Sequence, residues 1–129
     1  MQPRKKRKYA ANAPINVKKK FMRAQLSKEL RKKYGKRNIR IRKGDKVKII
    51  KGGFKKKDGK VTGVFPKTGK ITLEGIQRKK RDGSKIDVKM NPSNVQIIEL
   101  DLNDKNREKN LKKESVINQN KKQEMENKK

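Results

Sequence analysis

Apolar and charged residues alternate with a period of two in the middle of the chain. Val47 and Ile49 alternate with lysines over residues 46–50. This period is typical of a strand with one buried face. Similar patterns predict four more strands, at residues 60–65, 70–80 with a bend at Gly75, 86–90 and 95–100.

Turn signals separate these five strands. Residues 66–69 and 91–94 carry Pro with Gly or Asn, and the Asp82-Gly83 pair favours a type I′ hairpin turn. Short strands at this spacing predict a mostly β fold, a small five-stranded barrel whose closure removes the sheet edges. The predicted core is Val47, Ile49, Val61, Val64, Ile71, Leu73, Val88, Val95 and Ile97.

Two short helices are predicted before the barrel. The first has Asn12 or Ala13 as its cap and Pro14 in its first turn, and it carries Val17, Phe21 and Ala24 on one face. The second has Ser27 as its N-cap, Glu29 in the first turn, the stripe Leu26, Leu30 and Tyr34, and Gly35 as its stop. The apolar faces fit two roles, docking on the barrel or packing on RNA.

The C-terminal tail has a weaker pattern. Asp104 is a candidate cap for a helix that carries Leu111, and no sustained apolar stripe follows Ser115. The tail is therefore expected to pass from helical to disordered. The chain divides into a basic N-terminal arm (residues 1–43), a barrel (44–100) and a charged tail (101–129).

The composition adds the prediction of a polyanionic partner. Hydrophobic residues are 29% and charged residues 43% of the 129 residues, too lean a mixture for the whole chain to pack as one globule. The net charge of +29 favours nucleic acid, because each cation placed on a phosphate releases counterions. The arm carries 18 Lys and Arg against Glu29 alone. We expect it to be mobile in the free chain and to fold on RNA.

Several function classes are disfavoured. Cysteine and histidine are absent, which removes thiolate ligands and the commonest general base. Asp45, Asp58, Asp82 and Asp87 are placed in turns or at exposed strand positions and form no convincing catalytic pair. No apolar run reaches the length of a membrane span. We expect no enzyme activity, cofactor, metal, small-molecule substrate or membrane insertion.

The stretch of residues 42–65 resembles the KOW motif, a strand–loop–strand unit of SH3-like barrels that handle RNA. Its frame is Lys51-Gly52, then Lys55, then Gly59-x-Val61. The motif usually has Gly after the second Lys, where this chain has Lys56. An ordinary hairpin is the alternative. Phe54 fits either an RNA contact or a lid over the barrel end.

The resemblance extends beyond this motif. It includes L-S-K-E-L-R-K-K-Y-G-K-R at residues 26–37, R-K-G-D at 42–45, G-I-Q-R-K-K-R-D-G-S at 75–84 and N-P-S-N-V at 91–95. These segments resemble the universal large-subunit ribosomal protein family numbered twenty-four, called twenty-six in eukaryotes, in its archaeal and eukaryotic branch. The resemblance implies a structural protein that binds large-subunit ribosomal RNA, with ribosomal proteins as neighbours, near the nascent-chain tunnel exit.

The candidate RNA-binding residues follow from charge and placement on arms and loops. They are Arg4, Lys5, Lys6, Arg7, Lys8, Lys18, Lys19, Lys20, Arg23, Lys28, Arg31, Lys32, Lys36, Arg37, Arg40, Lys51, Phe54, Lys55, Lys56, Lys57, Arg78, Lys79, Lys80 and Arg81. The alternative functions are a KOW-type transcription elongation factor and a histone-like nucleic-acid compactor. The expected location is the cytoplasmic ribosome, with nuclear or nucleolar assembly in a eukaryote. Residues 4–8 also fit a nuclear-import signal.

Overall fold

The computed structural model describes residues 2–127, with residues 113–119, 121 and 122 described by their backbone alone. The helices are α1 (Pro3–Asn12), α2 (Ile15–Phe21), α3 (Lys28–Tyr34) and α4 (Lys105–Glu126). The strands are β1 (Arg23–Leu26), β2 (Asn38–Arg40), β3 (Lys46–Ile49), β4 (Asp58–Phe65), β5 (Lys70–Leu73), β6 (Gln77–Lys79), β7 (Lys85–Asp87) and β8 (Val95–Glu99). A short 3₁₀ helix, Pro92–Asn94, precedes β8.

The fold is mostly sheet, as predicted, but the sheet does not close. Six strands form one sheet in the order β2-β1-β8-β3-β4-β5, while β6 and β7 pair as a separate ribbon. β1 runs parallel to β8, and the other neighbours are antiparallel. In the described part of the chain, the predicted closed five-stranded barrel is therefore wrong. The main sheet gains β1 and β2 from the basic arm, and the β6–β7 ribbon pairs with itself.

The core follows the alternation of the central strands. Seven of the nine predicted core residues are buried, whereas Val64 and Val88 are only half-buried and pack against the core surface. The predicted core list left out the arm, although docking on the barrel was one of the two roles predicted for the arm's apolar faces. The buried apolar side chains of the arm are Ala13, Met22, Ala24, Leu26, Tyr34, Ile39 and Ile41. Residues before position 44 and after it therefore share one core.

The helix boundaries of the arm differ from the prediction at its N-terminal side. The basic run at residues 4–8 lies in α1, and Pro14 is the N-cap of α2 rather than part of its first turn. Ala24 lies in β1 instead of a helix. The second helix is confirmed, because the Ser27 side chain accepts a hydrogen bond from the Leu30 backbone N–H at 3.4 Å and Gly35 ends α3 with φ of 64°.

A buried ion pair joins the sheet to α4. Asp45 is fully buried and Arg107 is 5% exposed, and two guanidinium N–H groups of Arg107 donate to the two Asp45 carboxylate oxygens at 2.6 and 2.8 Å. The Asp45 carboxylate also accepts from the backbone N–H groups of Arg42 and Asp101. Asp45 ends the turn at residues 42–45, as its backbone N–H to the Arg42 carbonyl shows, but its side chain is buried, which the sequence did not predict. Its burial is tolerated because every oxygen is hydrogen-bonded and the charge is paired.

The tail is helical for longer than predicted. As predicted, Asp104 caps α4, through a hydrogen bond from the Asn106 backbone N–H at 2.9 Å, and the helix carries Leu111. The burial of Leu111 in the core was not predicted. The backbone of α4 continues to Glu126, past the predicted end near Ser115.

Candidate nucleic-acid interface

The N-terminal helices present cations without contributing a buried residue of their own. Arg4, Lys5, Lys6, Arg7 and Lys8 are exposed on α1. On α2, Lys18 and Lys19 are half-buried and Lys20 is exposed. Tyr9 and Phe21 join the two helices through an edge-to-face contact with ring centroids 6.3 Å apart, and both rings remain about half exposed.

The α3 cations fall into two groups. Lys28 and Lys32 are exposed. Arg31 is half-buried, and its guanidinium donates to the Leu26 carbonyl at 2.9 Å and to Gln25 Oε1 at 3.2 Å. Arg31 therefore contributes to the α3–β1 junction, whereas the two lysines point toward solvent.

The lysine loop, residues 51–57, joins β3 to β4. The loop is closed by hydrogen bonds from the Ile49 N–H to the Lys57 carbonyl at 2.8 Å and from the Lys56 N–H to the Ile49 carbonyl at 2.9 Å. Since the backbone is held in this way, the loop has a defined shape. Lys51, Lys55, Lys56 and Lys57 are all exposed on it.

Two residues explain the local shape of the loop. Lys56 has φ of 73°, a conformation that costs a non-glycine residue about 1–2 kcal/mol, at the position where the KOW motif usually has Gly. Lys56 therefore adopts a backbone conformation that glycine favours. Gly59 needs the absence of a side chain, because a Cβ there would lie 2.8 Å from the Glu74 carbonyl oxygen.

Phe54 is half-buried and packs against the core, with the Lys57 Nζ 5.4 Å from its ring centroid. This packing agrees with the lid role, and the exposed part of the ring leaves an RNA contact as a prediction.

The β6–β7 ribbon carries the last predicted group, Arg78, Lys79, Lys80 and Arg81, all exposed. Its turn is not type I′. The Lys80 N–H donates to the Ser84 carbonyl, the Gly83 N–H donates to the Lys80 carbonyl, and only Gly83 in this turn has positive φ, which describes a three-residue loop ending in a glycine bulge. Hydrogen bonds from Ser84 hold the pKa of Asp82 below its ordinary value and fix this turn.

The structure brings four predicted cations together. Arg23, Lys36, Arg37 and Arg40 line one cleft of about 470 Å³ at the β1–β2 edge of the sheet, next to α4. The same cleft is lined by Arg42 and Arg107, which the sequence prediction missed. Arg42 lies in the R-K-G-D turn already singled out, but nothing near Arg107 indicates a contact 62 positions away.

Acidic side chains neutralise few of the candidate cations. Ion pairs between described side chains join Asp45 to Arg107, Glu99 to Lys46, Asp104 to Arg42 and Glu108 to Lys112. These pairs involve none of the cations of the lysine loop or of α1 and α2. The charge of those two groups of cations is therefore not neutralised by these ion pairs.

The described residues contain no group of three or more His, Cys, Asp or Glu that could hold a metal ion. None of their helices is both long enough and apolar enough to cross a membrane.

Comparison with known proteins agrees with the resemblance seen in the sequence. The family of ribosomal proteins called L26 in eukaryotes, with the archaeal proteins numbered twenty-four, matches residues 1–114. The chain is similar to the large ribosomal subunit protein uL24 of Korarchaeum cryptofilum (strain OPF8), with 44% identity over 115 residues, which are 89% of this chain and 88% of the relative. These matches confirm the expectation of a ribosomal, non-enzymatic protein. The chain therefore belongs to this family of eukaryotic and archaeal ribosomal proteins.

Proposed function

We propose that this protein is a structural component of the large ribosomal subunit and binds large-subunit ribosomal RNA. The observation that carries the proposal is the placement of cations outside the core. The lysine loop and helices α1 and α2 carry lysines and arginines that take part in none of the ion pairs between described side chains. The family match supports the ribosomal context, and the relative's name supports the large subunit.

The mechanism is electrostatic and depends on shape. The sheet holds the lysine loop and the β6–β7 ribbon in fixed geometry, and their cations neutralise backbone phosphates. RNA duplexes are recognised mainly through shape, phosphates and 2′-hydroxyls, which matches a surface rich in Lys and Arg and poor in aromatic rings. α1 and α2 extend this surface beyond the sheet. Residues 1–43, 44–100 and 101–129 serve as arm, KOW unit and tail in this proposal.

The resemblance further suggests a position near the nascent-chain tunnel exit, with other large-subunit proteins as neighbours. In a eukaryote, the protein would join the particle in the nucleolus. The family match favours this function over an elongation factor or a compactor. An elongation factor of the KOW type usually adds a separate α/β domain, whereas residues 23–40 here supply two strands to the main sheet.

Co-sedimentation of the purified chain with large ribosomal subunits at moderate salt tests the proposal. We expect the chain to sediment with large subunits and not with small subunits. Equal sedimentation with large and small subunits, or sedimentation with neither subunit, would contradict the proposal.

The lysine loop is tested by changing Lys51, Lys55, Lys56 and Lys57 to Gln. The magnitude of the salt slope of RNA binding should fall by up to roughly 3.6 if all four lysines contact duplex-like phosphates. The control changes four exposed lysines outside the candidate set and outside the ribbon, Lys43, Lys67, Lys105 and Lys109, to Gln. If the salt slope of the loop variant fell no more than that of the control, the lysine loop would not contact the RNA.

A further inference from the structure

The arginine cleft at the β1–β2 edge concentrates positive charge in one concave site. Arg23, Lys36, Arg37, Arg40, Arg42 and Arg107 line it, and its described lining includes no acidic residue. The carboxylates that pair with two of these arginines, Asp45 and Asp104, lie outside the lining residues. A concave surface with this charge favours an anion of matching size.

The register of the sheet makes this concentration unfavourable for the fold itself. Arg23 on β1 lies directly opposite Arg40 on β2 in an antiparallel pair. Side chains at opposite positions are close neighbours, and like charges there are destabilising. Burial and the neighbouring Arg23 charge also lower the pKa of Lys36. Positions that oppose stability in this way are expected at functional sites.

Arg107 is held rigidly at the cleft. Its two terminal nitrogens donate to Asp45, to the Asp101 carbonyl and to the Arg40 carbonyl. Its Nε is buried and has no hydrogen-bond partner among the described residues. The rigid guanidinium fixes the shape of this wall of the cleft, while its charge is paired with Asp45. Asn110 of α4 adds a polar side chain to the same wall.

We propose that this cleft binds backbone phosphates of large-subunit RNA at a place where the folded RNA brings two phosphates close together, with Arg23 and Arg40 as the principal contacts. The inference rests on the proposed function and specifies one site for it. Arginine suits this role because its planar fork donates two parallel hydrogen bonds to a phosphate. Two neighbouring phosphates repel one another, and so do two neighbouring arginines. When the arginines bind the phosphates, the opposite charges offset both repulsions.

The test is the double variant Arg23→Gln/Arg40→Gln in the full chain, with isolated large-subunit ribosomal RNA as the probe. Two lost charge-assisted contacts should weaken binding at fixed salt by about tenfold or more. The magnitude of the salt slope should fall by roughly 1.8 for duplex-like RNA or 1.4 for single strands. The melting temperature of the free variant should equal or exceed that of the parent, because the cross-strand repulsion is removed.

A binding role predicts that the double variant binds RNA more weakly but melts no earlier than the parent. If Arg23 and Arg40 served only the fold, the variant would melt earlier, and the proposal would be overturned. The matched control is Lys67→Gln/Lys105→Gln, which removes two exposed charges outside the cleft and outside the β6–β7 ribbon. Binding by the cleft variant that equals binding by this control also overturns the proposal.

Two further measurements separate geometry from charge and RNA from free anions. Arg23→Lys/Arg40→Lys keeps the charge, so it should restore most of the salt slope while recovering only part of the affinity. Inorganic phosphate, followed by NMR of the arginine Nε–Hε groups, should bind weakly and compete with RNA. Saturation of the cleft by phosphate with no effect on RNA affinity would identify a small-anion site and overturn the RNA assignment. If the parent chain itself fails to bind the RNA, the proposed function fails instead.

Discussion

Two neighbouring segments of the N-terminal region, residues 3–21 and 22–41, differ in structure although their charge is alike. Each carries eight Lys and Arg, and Glu29 is the only acidic residue in either. In residues 3–21 neither helix has a buried residue. In residues 22–41 five apolar side chains that flank or lie in β1 and β2 are almost fully buried. Charge density therefore does not decide whether a basic segment joins the core.

The difference lies in the spacing of apolar residues. Met22, Ala24 and Leu26 alternate with polar residues, which places the three on one face of β1 while Arg23 lies on the other. Ile39 and Ile41 repeat this arrangement around Arg40. A period-2 segment can bury one face and keep its cations in solvent. Residues 3–21 have no such alternation, and their aromatic rings stay half exposed.

The largest expected effect is the loss of the fold in Leu26→Asp. Leu26 is fully buried in β1, so the variant places an unpaired charge in the core, which we expect to cost at least about 5 kcal/mol. A marginally stable domain cannot absorb this cost. Phe21→Asp, at a half-exposed position on α2, should change the melting temperature little. Thermal melts by circular dichroism measure both, and equal melting of the two variants would contradict the contrast.

The sequence predicted strands where alternation and turn signals agree, as around Val47 and Ile97. It missed β1 because the spacing of Phe21 to Ala24 and of Leu26 to Leu30 also fits a helix. Sheet closure was predicted wrongly because pairing partners are distant in sequence, and β8 pairs with β1 some 70 positions away. The same limit hid the Asp45–Arg107 pair.

For the candidate site, the sequence identified the exposed basic groups but not their arrangement. The lysine loop was predicted because its lysines lie between two recognisable strands. The arginine cleft required the pairing of β1 with β2 and the docking of α4, neither of which has a local signal. Lys56 shows that the fold can hold a non-glycine residue at positive φ, which its sequence position alone does not predict.

Amide hydrogen exchange provides the second test of the contrast. In the free chain, residues of β1 should be protected to nearly the extent of β3 and β8, because they share one sheet and open with it. Residues 3–21 should exchange quickly and become protected on addition of large-subunit RNA. Sequence analysis predicted that the whole arm, residues 1–43, folds on RNA. We now expect this coupled folding only for residues 3–21. Equal protection of both segments in the free chain would contradict it, as would an unprotected β1.

The buried ion pair gives the third effect. Asp45→Ala leaves Arg107 buried without its carboxylate and should cost about 3–5 kcal/mol, measured by urea unfolding. The loss should loosen α4 and also the end of β2, because Arg107 donates to the Arg40 carbonyl. The control is Glu99→Ala, which removes an exposed pair with Lys46 at 3.5 Å and should cost at most about 1 kcal/mol. Similar costs for the two variants would show that the buried pair stabilises no more than a surface pair.

The smallest effect concerns the helix caps of the two segments. Ser27 caps α3 through a hydrogen bond from Leu30, whereas the N-cap of α1, Gln2, makes no side-chain cap hydrogen bond. Ser27→Ala should therefore cost about 0.5–1 kcal/mol, near the low end for cap removal because the bond is 3.4 Å long. Gln2→Ala should leave the melting temperature unchanged, and Ser27→Asp should restore it because aspartate also caps well. If Ser27→Asp melted as early as Ser27→Ala, the Ser27 hydroxyl would contribute packing rather than a cap. The N-terminus of α3 would then be stabilised by its contacts with the sheet alone.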